Sequence, residues 1–169
     1  MKLARYLVPI IVLVVLVWFL WPHPKPVTIL PPTPISPVTP PAPVEPQDPR
    51  AEKLEAFFDH YECPKPQPIY DYLSSADKYN LPYTLLPSLS VLESGCGRHQ
   101  RLNNWWGWNS ARTGFSSVDE GICYVSEKLA TGRYYSGKTL DEKLKAYNSV
   151  NPTYSQTIKG LMAQIEQQP

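Results

Sequence analysis

The stretch from Pro22 to Pro49 decides how this chain can fold. Twelve of its 28 residues are proline, and its charged residues are Lys25, Glu45 and Asp48. Proline fixes φ and removes a backbone donor, so neither helix nor sheet runs through such a segment. The composition predicts an extended, semi-rigid spacer of about 3 Å per residue, reaching on the order of 80 Å. A docking site for a proline-binding domain is the competing reading. The chain thus divides into residues 1–21, a linker at 22–49 and a domain at 50–169.

In the first part, Lys2 and Arg5 precede an apolar run from Tyr6 to Trp21. A cationic flank and an apolar segment read as a membrane anchor or a signal peptide. At about 16 residues the run is short for a bilayer span, which needs roughly 17–25. No small-residue cleavage site follows it; Trp21-Pro22-His23-Pro24 is bulky and rigid. Trp18, Phe19 and Trp21 suit a membrane interface. An uncleaved anchor is the favoured expectation, with a cleaved signal or a soluble helix as alternatives. The anchor would place residues after 21 outside the cytoplasm.

A net charge of +1 gives no basic excess, so nucleic acid is not an expected partner. The three cysteines, Cys63, Cys96 and Cys123, are too widely spaced for a local zinc motif, and no histidine pair accompanies them. Neither a metal nor a cofactor is expected. Outside the cytoplasm a disulfide becomes favourable, and an odd count leaves one thiol.

Residues 50–169 have the size of one domain and a mostly helical pattern. Asp48-Pro49 starts a helix through Tyr61, with Leu54, Phe57 and Phe58 at helical spacing. Ile69 to Tyr79 is a second helix. Thr84 to Glu93 is a third, with Pro87 in its first turn. Ser117-Val118-Asp119-Glu120 is a capping box opening a fourth helix to Ala130, and Thr139-Leu140-Asp141-Glu142 opens a fifth. Asn151-Pro152 starts a sixth, with Ile158, Leu161, Met162 and Ile165 on one face.

Glu93 ends the apolar run Leu85-Leu86-Pro87-Ser88-Leu89-Ser90-Val91-Leu92. A carboxyl in apolar surroundings resists ionisation, and a raised pKa suits a general acid. Gly95 and Gly97 end the helix and open space beside it. Asn103-Asn104-Trp105-Trp106-Gly107-Trp108 follows. Aromatic faces stack on sugar C–H groups and amides bond hydroxyls, so this cluster suits a glycan. Trp106 divides evenly between core and cleft.

These residues resemble the bacterial glucosaminidase family, the autolysin and flagellar type of peptidoglycan hydrolase. The resemblance rests on four ordered blocks across residues 79–166. They are Glu93-Ser94-Gly95 with Gly97, Asn103-Asn104-Trp105-Trp106-Gly107, Phe115-Ser116-Ser117-Val118-Asp119-Glu120, and Ala146-Tyr147-Asn148 with Asn151-Pro152-Thr153-Tyr154. Lytic transglycosylases share the Glu-Ser and Ala-Tyr-Asn elements.

The resemblance implies a mainly α, lysozyme-like domain that cleaves β-1,4 bonds of N-acetylated wall glycan. Glu93 would be the general acid and Tyr147 would line the cleft, or else lie in the core. Ser94 would orient the carboxylate or cap the helix, and Tyr154 would be structural. Asn103, Asn104, Trp105, Trp108 and His99 would hold substrate, Arg98 and His99 meeting its carboxylates unless simply solvated. Glycosidases usually pair two carboxylates; Glu120 and Asp119 are the candidates for the second. If neither serves, the substrate acetamide or a tyrosine-held water assists, which leaves muramidase and transglycosylase open. In such a fold Cys96 and Cys123 would flank one cleft and form a disulfide, with Cys63 able to replace either. The whole reads as an envelope protein, membrane-anchored, with its enzyme outside the cytoplasm. The rival is a non-catalytic glycan-binding module.

Overall fold

A computed structural model describes residues 48–169. The expected anchor and nearly all of the linker lie outside the described residues. Within them are six helices: α1 Pro49–His60, α2 Ile69–Tyr79, α3 Leu85–Ser94, α4 Val118–Thr131, α5 Leu140–Tyr147 and α6 Tyr154–Glu166. The described residues hold no strand, only an isolated bridge between Arg101 and Asn104. The mainly α expectation holds. None of these helices is long and apolar enough to cross a membrane.

Local chemistry explains most helix starts. Asp48 Oδ1 accepts from the Arg50 amide at 2.9 Å, with Pro49 at the first helical position. At α5, Thr139 and Glu142 form a complete capping box. At α4 the box is displaced by one residue. Ser117 accepts from the Glu120 amide, but Glu120 Oε2 reaches back to the amide and hydroxyl of Ser116, at 2.6 and 2.5 Å. The last helix begins at Tyr154 rather than Pro152, because Asn151 Oδ1 holds Thr153 in a turn through both its amide and its hydroxyl.

Helix α3 lies at the centre. Leu85, Leu86, Pro87, Ser88, Leu89 and Ser90 are all buried. Covered on every side, this first part of the helix must satisfy its own polar groups, while Leu92 and Glu93 in its last turn are exposed. Ser88 donates to the Thr84 carbonyl at 2.7 Å, and Ser90 to the Pro87 carbonyl at 2.8 Å. Serines are therefore compatible with this core. Leu54 and Phe57 of α1, Val125 of α4 and Ile158 and Ile165 of α6 complete it, each fully buried. Helix α2 packs on α4, and α6 packs on α1, α3 and α5.

The disulfide corrects an expectation. Cys96 bonds Cys63, with Cα atoms 5.5 Å apart, and Cys123 is free. Gly95 and Cys96 both take left-handed backbone, which swings the chain after α3 toward the segment following α1. Arg98 joins the same two segments by donating to the carbonyls of Tyr61 and Glu62. Cys123 lies elsewhere on α4, with its sulfur 3.5 Å from the Tyr79 hydroxyl.

Candidate active site

The end of α3 carries Glu93 out of the core into an open cavity of about 690 Å³. Ligand pockets usually span about 300–1,000 Å³. Tyr154, in the first turn of α6, donates its hydroxyl to Glu93 Oε1 at 2.5 Å. The other carboxylate oxygen faces Gly107. A Cβ placed on Gly107 would stand 2.9 Å from Glu93 Oε2, and Gly107 has φ +61°. Glycine is needed there for both reasons.

Glu93 keeps an exposed edge toward the cavity while protein packs behind it. That packing desolvates the carboxyl and holds its pKa above the usual range; the Tyr154 hydrogen bond pulls the other way and is the smaller influence. Burial, with the Glu93 contact second, raises the Tyr154 hydroxyl in turn, so it stays protonated and donates. A carboxyl so placed stays protonated to higher pH than a fully solvated one.

Tyr147 ends α5 and borders the cavity. Its hydroxyl donates to the Trp106 carbonyl, and its ring stacks on Tyr154 with centroids 6.0 Å apart. Both readings of Tyr147 therefore apply: the ring belongs to the cleft wall, and its hydroxyl is bonded to backbone. Trp106 is core. It is fully buried, and its indole N–H donates to the Leu86 carbonyl at 3.2 Å. Anchoring Trp106 on α3 sets Gly107 against Glu93.

Trp108 lines the cavity, its ring 5.8 Å from those of both Tyr135 and Tyr147. The remaining expected substrate contacts are placed differently. Asn104 is buried, and its amide bonds the Trp108 amide and the Trp108 and Thr113 carbonyls, each at 2.9 Å. Asn103 donates to the carbonyls of Phe115 and Ser116. The loop from Leu102 to Ala111 contains several left-handed residues, which prevent regular backbone pairing, and these amides satisfy the groups left over. Trp105 packs over Gly97, where a Cβ would meet its ring at 2.4 Å. Ser94 is buried, donating to Ser90 and accepting from the Gly97 amide at 2.8 Å; it caps the helix and makes no bond to Glu93. His99 is exposed beside Gly95 and does not line the cavity.

Neither proposed second carboxylate joins Glu93. Asp119 and Glu120 are exposed in the first turn of α4 and do not border the cavity. Ser116 binds Glu120 in its ionised form, lowering its pKa, the wrong direction for an acid. Glu93 is the one carboxylate among the cavity-lining residues. No group of three His, Cys, Asp or Glu side chains among the described residues is placed to hold a metal ion.

Sequence reasoning missed two features. Tyr154 touches the carboxylate, and Tyr124, Tyr134 and Tyr135 form much of the cavity wall. The adjacent Tyr134-Tyr135 pair in a glycine-flanked segment was the available signal for the wall. Fold and site together define a mainly helical domain with one partly desolvated carboxylate in an aromatic cleft. No family, curated protein or solved structure matches the chain.

Proposed function

We propose that this protein is a peptidoglycan-cleaving enzyme with a lysozyme-like helical domain, acting on β-1,4 bonds of N-acetylated wall glycan as an endo-β-N-acetylglucosaminidase does. The observation that carries the reading is Glu93: a carboxyl held above its usual pKa, at the edge of a cleft walled by Trp108 and tyrosines. Protonated Glu93 gives its proton to the glycosidic oxygen, and the bond from that oxygen to the anomeric carbon breaks. Tyr154 holds the carboxyl in place while this happens, and the absence of a side chain at Gly107 leaves it room. The protein would sit in the bacterial envelope, its N-terminal anchor in the membrane and its domain outside the cytoplasm.

With one carboxylate lining the cleft, the anomeric carbon is best met by a group of the substrate itself. The 2-acetamido oxygen can attack it, and water then opens the resulting ring to complete hydrolysis. That lone carboxylate also favours a second reading, a lytic transglycosylase. There the sugar's own 6-hydroxyl attacks, its proton passes to the Glu93 carboxylate, and an anhydro sugar is released.

Incubating purified peptidoglycan with the full chain and weighing the soluble products tests both readings. Reducing N-acetylglucosamine ends support the glucosaminidase. Anhydro-muramic ends support the transglycosylase, and reducing N-acetylmuramic ends indicate a muramidase. Absence of any cleavage, with binding retained, would favour a glycan-binding module and sink the enzymatic reading.

A further inference from the structure

The tyrosine hydroxyls of the cleft are not equally engaged. Tyr154 donates to Glu93, and Tyr147 donates to the Trp106 carbonyl. The Tyr134 hydroxyl accepts from Arg133, and Tyr124 is exposed with Lys128 over its ring. Tyr135 differs. It lines the cavity and is half-buried, yet its hydroxyl has no hydrogen-bond partner among the described residues. Burial raises its pKa, so the hydroxyl stays neutral. A desolvated polar group without a protein partner is costly unless water or a ligand completes it.

A chain of rings leads from Tyr135 to the acid. The Tyr135 ring lies 5.8 Å from that of Trp108, and Trp108 lies 5.8 Å from Tyr147. Tyr147 stacks on Tyr154, which holds Glu93. The hydroxyls are close enough that Tyr135 disfavours ionisation of both Tyr147 and Tyr154. The backbone of Tyr135 is fixed as well. Lys143 Nζ donates to its carbonyl at 2.8 Å and to that of Leu129 at 2.5 Å, and the Tyr135 amide donates to the Gly132 carbonyl at 2.8 Å. A free hydroxyl on so firm a support is preorganised to meet a ligand.

We infer that Tyr135 holds the 2-acetamido group of the sugar whose bond is cut, its hydroxyl oxygen accepting the amide N–H so that the carbonyl oxygen faces the anomeric carbon. The inference rests on the glycan-cleaving reading above and assigns a residue to the step left there to the substrate. A lone pair of the acetamido oxygen attacks the anomeric carbon. The bond to the leaving oxygen breaks as that oxygen takes the Glu93 proton. The ring so formed carries a positive charge shared onto its N–H. The hydrogen bond from that N–H to Tyr135 therefore strengthens toward the transition state, and such an interaction lowers the barrier. A neutral tyrosine oxygen is too weak a base to take the proton, which stays on nitrogen. Water then opens the ring and gives its own proton to the Glu93 carboxylate.

Tyr135→Phe in the full chain tests this. The hydroxyl has no protein partner, so its removal should leave the melting temperature unchanged or slightly raised. The kcat on purified peptidoglycan should fall by about ten- to hundredfold, the range for losing a hydrogen bond to a charged group. A second measurement follows binding to millimolar concentration in the chain carrying Glu93→Gln, with chitohexaose and the glucosamine hexamer as probes. Adding Tyr135→Phe should weaken chitohexaose by about three- to tenfold, as for an ordinary hydrogen bond. The glucosamine hexamer, which lacks the acetyl group, should change by less than about twofold or stay unbound by both chains. Parental cleavage by Tyr135→Phe, equal weakening of both hexamers, or a lowered melting temperature overturns the assignment and leaves the proposed function standing. A parent chain that binds chitohexaose without cleaving peptidoglycan, or does neither, overturns the proposed function and the step with it.

Discussion

The Tyr154 hydroxyl donates to Glu93 Oε1 at 2.5 Å across 61 residues of sequence. It brings the first turn of α6 onto the last turn of α3, so the carboxylate is fixed by two helices of the core. The two influences on Glu93 oppose one another. Desolvation favours the neutral acid and the tyrosine favours the ion, with desolvation the larger.

Glu93→Gln should lower cleavage by about 10²–10⁴-fold, the usual range for loss of a general acid. The amide has the same shape and still accepts from Tyr154. Because the folded-state pKa of Glu93 is raised, its contribution to stability is fully present below the unfolded-state pKa and is lost as pH rises through the folded-state value. The variant should therefore gain in melting temperature relative to the parent at neutral pH, and less so in acid. Thermal melts of both proteins across pH check this; near-parental activity would remove Glu93 from the acid role.

Tyr154→Phe removes the contact that lowers the Glu93 pKa. The protonated acid should then persist to higher pH, moving the alkaline limb of kcat/KM upward. A pH–rate profile of the variant reads the shift. A limb displaced toward acid would mean that another group titrates there.

Gly107→Ala places a methyl 2.9 Å from Glu93 Oε2 at a residue with φ +61°. The left-handed backbone costs about 1–2 kcal/mol with a Cβ present. The carboxylate must also move, so activity per folded molecule should fall by tenfold or more, on the order of what small misplacements cost. Calorimetry and turnover on the same sample separate the two effects.

The bridge between Cys63 and Cys96 closes a loop across 33 residues of sequence. Replacing both cysteines with alanine should cost about 3–4 kcal/mol of stability by the loop-entropy estimate. It also loosens the turn behind Glu93. Cys123→Ser should leave the disulfide and its stabilisation in place. Denaturant titration of the three proteins, with thiol counting, decides whether the pairing is the one described.

The helices and the lone acid were legible because their causes are local. A cap at Asp48, a box at Thr139–Glu142 and the apolar run ending at Glu93 act within a few residues of each other. The burial of Ile158 and Ile165 follows from helical spacing in the same way. What only the tertiary structure decided depends on which way a loop turns. Successive left-handed residues direct Asn103 and Asn104 onto their own loop's backbone, and Cys96 onto Cys63. Sequence spacing carries no record of those directions. The same holds for Tyr154 meeting Glu93 and for Tyr134 and Tyr135 facing the cleft. Such contacts arise where distant helices pack, and each residue alone reads equally well as core or as surface.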